Sequence, residues 1–133
     1  MVHGHPDSTR GLIGAPIGRD PRHRQRLWVV PDGRPATTEF EVMDSFPGYT
    51  LLLVRPITGR THQIRVHLAA IGHPVAGDSV YGPRQRSQEV PLRRHFLHAW
   101  RLTLMLLDGS QRTFEAPLPP DLQEALDALR QRR

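Results

Sequence analysis

Within six consecutive positions the chain places Arg60, His62, Gln63 and Arg65, inside the stretch TGRTHQIRVHLAAIGHPVAGDSVYG at residues 58–82. Two guanidinium groups, an imidazole and a carboxamide so close together make a donor-rich surface. Such a surface suits an anion such as phosphate or carboxylate. Thr61 can cap a helix that begins directly after it, and Ile64, Leu68 and Ile71 then recur at i, i+4 and i+7 as one apolar stripe. Gly72 and Pro74 end that helix. His62 and Arg65, three apart, share another flank at the helix N-terminus, where free backbone N–H groups favour an anion. The plain alternative is an amphipathic helix with a solvated polar face.

Other chemistries find less support. His62 and His67 are five apart, roughly 140° around a helix, so they cannot share a ligand face. With no cysteine and no H-E-x-x-H, no metal site is expected. GDS at 77–79 is not a nucleophile elbow, and the glycines of GLIGAPIG form neither a dinucleotide fingerprint nor a phosphate loop. Asp20, Asp44 and Asp78, as isolated carboxylates, are expected to hold turns or pair with arginine.

The elements that must position these groups read as follows. The start, MVHGHPDSTRGLIGAPIGRDP, is irregular, with His3 and His5 in a mobile segment and a short extended piece at Leu12–Ile13. In RDPRHRQRLWVV, strand spacing puts Arg22, Arg24 and Arg26 on one face before PDGR turns the chain. ATTEFEVMDSF alternates as a half-buried strand, PGYT turns, and TLLLVRPI reads as a strand buried on both faces. RQRSQEVPLRRH at 84–95 is a polar loop. FLHAWRLTLMLL and QRTFEA flank Asp108-Gly109 as a hairpin, and Leu122, Leu126 and Leu129 line a final helix starting at Asp121. Phe40, Leu52, Val54, Ile64, Leu68 and Ile71 are the expected core.

The 133 residues suffice for one domain, and no apolar run is long enough to span a bilayer as a helix. A formal charge of +5 makes a polyanion such as nucleic acid a fitting partner. All 18 basic residues are arginine, and lysine and asparagine are absent, a bias that a GC-rich genome explains. The lack of cysteine suits a reducing cytoplasm.

Taken together, GRTHQIRVHLAAIGHPVAGDSVYG, the basic segment APIGRDPRHRQRLWVVPDGRPATTEFEV, and the closing LHAWRLTL and FEAPLPPDL resemble the RluA/RluD-type RNA pseudouridine synthases. The resemblance implies an α+β fold, a mixed and largely antiparallel sheet with flanking helices. It also implies isomerisation of uridine in ribosomal or transfer RNA. In that reaction the base is extruded, its glycosidic bond is cleaved, the ring turns and a C–C bond forms, without any cofactor. It assigns Arg65 as the basic partner of a nucleophilic aspartate. It puts Arg60, His62 and Gln63 in the same cleft, and Arg19, Arg22 and Arg24 on RNA phosphates.

The family's His-Arg-Leu-Asp segment, which carries that aspartate, has no counterpart here; HRQRLWV echoes it without the acid. Residues 1–133 are thus expected to be the C-terminal portion of a catalytic domain. They would be inactive alone and would have a separate N-terminal half as a possible partner. The competing expectation is a non-catalytic RNA-binding module derived from the family. A general basic adaptor would leave the ordered motifs unexplained.

Overall fold

The computed structural model describes residues 1–84 and 90–133, so the polar loop expected at 84–95 lies in part outside the described residues. A four-stranded sheet runs in the order Val2–His3 (β1), Tyr49–Pro56 (β6), Thr37–Phe46 (β5) and Arg10–Gly14 (β2). Two separate hairpins accompany it: β3 (Ile17–Arg19) with β4 (Leu27–Val29), and β7 (Arg101–Met105) with β8 (Gln111–Glu115). With helices α1 (Gln63–Ala70) and α2 (Pro120–Arg130), this is the α+β class expected. Among the described residues every ladder is antiparallel.

The β5–β6 hairpin forms where alternation and PGYT put it. Its two-residue turn places Gly48 at φ +78°, a conformation that costs glycine little. One irregularity, between Val42 and Asp44, turns Met43 out to solvent. β6 is central in the sheet, and its residues divide between two cores. Leu51 packs on one, while Leu52 and Val54 enter the other.

Helix α1 is wedged between the sheet and the β3–β4 hairpin. Ile64 and Leu68 meet Phe40, Leu52 and Val54 on the sheet side, five of the six expected core residues. Val66 and Ala69 meet Ile17, Leu27, Trp28 and Val29 on the other. Ile71, the sixth, is exposed instead, because it caps the helix just before Gly72 turns the chain at φ +87°. Helix α2 lays Leu122, Ala125, Leu126 and Leu129 on Met1, Phe46, Tyr49 and Phe96. Pro120 occupies its first turn and Arg130 its last, as the backbone polarity favours.

Two expectations are corrected here. The N-terminus is not loose: Val2 is 1% exposed and pairs with Thr50, and His3 pairs with Tyr49. The basic segment is not a strand through Arg22, Arg24 and Arg26; it is the loop joining β3 to β4. The β7–β8 hairpin forms around Asp108-Gly109, as expected. Its residues are exposed along both strands, Leu102, Leu104, Met105 and Phe114 among them.

Gly77 locks the crossing after α1. Its φ is +80°, and a Cβ there would lie 2.3 Å from the Arg94 carbonyl oxygen. Gly77→Ala therefore combines a left-handed penalty of about 1–2 kcal/mol with a backbone clash. The expected result is a urea midpoint lowered by at least that much at unchanged slope. An unshifted midpoint would contradict the close approach.

Candidate functional site: an arginine and histidine cleft beside a basic loop

The chain enters α1 in an unusual way. Thr61 does not cap the helix. The N-cap is His62, with φ 55°, ψ 18° and no side-chain cap hydrogen bond. It is the one non-glycine at positive φ among the described residues. Such a conformation persists only where neighbours hold it, and here Gln63 supplies the hold. Its Oε1 accepts from the Arg60 amide (3.0 Å) and the Thr58 hydroxyl (2.7 Å). Its Nε2 donates to the Thr37 carbonyl (2.9 Å) and to Thr38 Oγ1 (3.0 Å).

Those four bonds exhaust the carboxamide, and Gln63 is buried. The cleft-lining role expected for Gln63 is therefore corrected: it faces inward and braces the 58–63 turn. The network continues through Thr38 to His67, which is fully buried. His67 Nε2 donates to the Ala15 carbonyl at 2.8 Å, so Nδ1 is left to accept from the Thr38 hydroxyl at 2.8 Å.

Arg65 points the other way, toward Asp78. Its Nε donates to Asp78 Oδ2 at 2.7 Å and its Nη2 to Oδ1 at 2.9 Å, a two-pronged pair. Asp78 Oδ1 also accepts the amides of Val80 and Tyr81, so the carboxylate organises the GDSVYG turn as well. Burial works to raise the Asp78 pKa. The Arg65 hydrogen bonds and the two amides outweigh it and hold the carboxyl below its usual range. The pairing with Asp78 likewise raises the Arg65 pKa against its own burial. The expectation that Asp78 would pair with arginine holds. So does that for Asp20, which binds Arg26, and Asp44, which pairs with Arg133.

Tyr81 gathers the site. Its ring lies 5.2 Å from the Arg65 guanidinium carbon and 5.7 Å, edge-on, from the His62 ring. Its hydroxyl meets His62 Nδ1 at 2.9 Å and the Leu27 amide at 3.1 Å. Trp28 stacks on it at 6.3 Å. The His62 pKa is lowered by partial burial first and by the Arg65 charge second, with Asp78 opposing. His95 is lowered in the same way by burial and then by Arg65, so its ring shares this electrostatic neighbourhood. Sequence reading named neither Tyr81 nor His95 as site residues. The YG after GDSV was visible in the sequence, but a partner 19 residues away leaves no local signature.

The basic loop stands next to the cleft because Leu27 and Trp28, at its root, contact Tyr81. Asp20 is its hub: Oδ1 accepts the Arg22 amide and Oδ2 accepts Arg26 Nε at 2.8 Å. Those bonds, Arg26 first, lower the Asp20 pKa. Arg19 reaches the Arg24 carbonyl, and the side chains of Arg19, Arg22 and Arg24 project into solvent. Arg60 donates through Nε to the Pro35 carbonyl at 2.9 Å, close to where β5 begins. Among the described residues no cluster of three or more His, Cys, Asp or Glu could hold a metal, and no helix is long and apolar enough to cross a membrane.

A sequence model described as RNA pseudouridylate synthase matches residues 2–70. An uncharacterised RNA pseudouridine synthase of Chloroflexus aurantiacus is 53% identical over 133 residues, covering 99% of this chain and 41% of its own length. The ribosomal large subunit pseudouridine synthase D of Nitrosomonas europaea is 48% identical, covering 90% of this chain and 37% of its own. Among solved structures, human RNA Pseudouridylate Synthase Domain Containing 1 superposes with a TM-score of 0.75 at 30% identity. That match covers 91% of this chain and 54% of the human one. The chain therefore spans about two fifths of the length of these curated relatives, and over that span it belongs to the RNA pseudouridylate synthase family.

Proposed function

We propose that this chain contributes the RNA-facing basic loop and the arginine cleft of an RNA pseudouridine synthase acting on ribosomal or transfer RNA in the cytoplasm. The nucleophilic aspartate would come from polypeptide outside the 133 residues, and the chain would be the C-terminal portion of one catalytic domain. The observation that carries this reading is the Tyr81 junction, which joins the loop of Arg19, Arg22 and Arg24 to His62 and Arg65 in a single surface.

Arg65 suits the part of aspartate partner. A guanidinium has five N–H donors, and Asp78 uses one on Nε and one on Nη2. The remaining three face away from that edge and can receive a second carboxylate, keeping it ionised and aimed. Asp78 itself is no substitute nucleophile. Its side chain is wholly enclosed, and its oxygens already accept two guanidinium and two amide hydrogens. The apolar residues exposed on β7 and β8 favour further polypeptide packing there, as a separate N-terminal half would.

Binding tests the reading. Arg22→Ala with Arg24→Ala should weaken association with unrelated RNAs alike, because phosphate contacts carry no sequence information. The slope of log affinity against log salt should fall by about 1.4–1.8 for two lost contacts. An unchanged slope would leave those arginines as solvated loop residues. RNA binding by the chain with no activity after the missing portion is supplied would favour the non-catalytic module.

A further inference from the structure

The hydroxyl of Tyr81 has one hydrogen to give and two neighbours. The Leu27 amide can only donate, so the tyrosine oxygen accepts there. Among the described residues no other acceptor meets the tyrosine hydrogen, and at 2.9 Å His62 Nδ1 takes it. An imidazole that accepts at Nδ1 carries its proton on Nε2. We propose, building on the RNA reading above, that His62 is a tautomer-fixed neutral donor whose Nε2–H takes a carbonyl oxygen of an RNA base, with Tyr81 as its positioning residue.

Three observations converge on that role. The left-handed backbone sets His62 at the entry to α1, and the residue is exposed while Tyr81 holds its Nδ1 edge. The charge beside it is largely cancelled, since Arg65 is paired two-pronged with Asp78. Besides Arg65, Asp78 and Tyr81, the titratable neighbour among the described residues is His95, whose pKa is also lowered, and among them no free carboxylate draws a proton onto His62. A phosphate would be better served by the solvent-facing guanidinium groups of the loop. A single uncharged N–H matches a neutral acceptor such as a uracil carbonyl.

The tautomer can be read directly from long-range proton–nitrogen correlation spectra of the nitrogen-15-labelled full chain. At pH 7 the expected pattern is an unprotonated Nδ1 and a protonated Nε2 at His62, and Tyr81→Phe should collapse it to a mixture. A charged ring, an Nδ1–H form, or a pattern indifferent to Tyr81→Phe would overturn the assignment. RNA titration supplies the second arm. His62→Ala should weaken binding about 2- to 10-fold, the worth of one hydrogen bond, with the salt slope unchanged. His62→Gly, which tolerates the left-handed backbone, should do the same, so that strain is not the cause. A slope reduced by about 0.7–0.9 would mean a phosphate contact and overturn the base-carbonyl role alone. No RNA binding by the unsubstituted chain would overturn the RNA reading itself, while the spectra would still decide the tautomer.

Discussion

Purified and incubated with ribosomal or transfer RNA, the 133-residue chain should form no detectable pseudouridine. Arg65 can orient a carboxylate but cannot attack a ribose or a base. The acid nearest to it, Asp78, is enclosed and fully hydrogen-bonded. Co-expression with a segment matching the rest of the relatives' length should restore turnover and raise the melting temperature together, because the same segment would bring the nucleophile and cover exposed apolar surface. Nucleoside analysis of the RNA, with and without that segment, is the measurement. Turnover by the chain alone would remove the need for an outside aspartate and send the search to the exposed carboxylates. A cooperative, high-melting chain indifferent to the segment would favour the binding module.

The largest single-residue effect on stability should come from Asp78→Ala. Arg65 is 13% exposed at its side chain and Asp78 0%, so the substitution strands a guanidinium in a dry setting and removes the acceptor of two turn amides. Breaking one partner of such a pair costs about 3–5 kcal/mol. Replacing both, Arg65→Met with Asp78→Leu, should recover a good part of that loss, since an apolar pair needs no compensation. Equilibrium urea unfolding decides it. A single-variant loss below about 1 kcal/mol would place the pair among surface bridges.

Acid should reveal the same pair. The folded Asp78 carboxyl titrates below its unfolded range, so the stabilisation is complete above about pH 4–5. It is lost as pH falls through the folded value. Asp78→Asn should flatten that part of the pH profile.

How far the sequence foretold this arrangement depends on how local each cause is. The β5–β6 hairpin, the α2 stripe and the Gly48 and Gly109 turns follow from neighbours a few residues apart, and they appear where alternation and turn chemistry put them. The pairing of isolated aspartates with arginines was legible for a general reason, since buried carboxylates need a counter-charge. What could not be read was direction. Gln63 looks like a surface donor beside His62, yet the acceptors of its Nε2, Thr37 and Thr38, lie 26 and 25 residues back along the chain. Arg22, Arg24 and Arg26 have strand spacing, but Asp20 gathers the segment into a loop through a backbone amide, which outcompetes any ladder. Ile71 keeps the apolar period of α1 and still faces water, because periodicity does not say where the helix stops.

The β7–β8 hairpin gives the molecule two stabilities rather than one. None of its residues joins the three buried clusters formed among the described residues. Its ladder rests on its own cross-strand bonds, among them Arg101 with Glu115 and Thr103 with Thr113. Among the described residues no buried cluster couples its opening to global unfolding, and its amides should exchange at the low end of the range of local stabilities. A melting curve of this chain should therefore report the sheet and helices, while hydrogen exchange of the β7–β8 amides should report the hairpin separately.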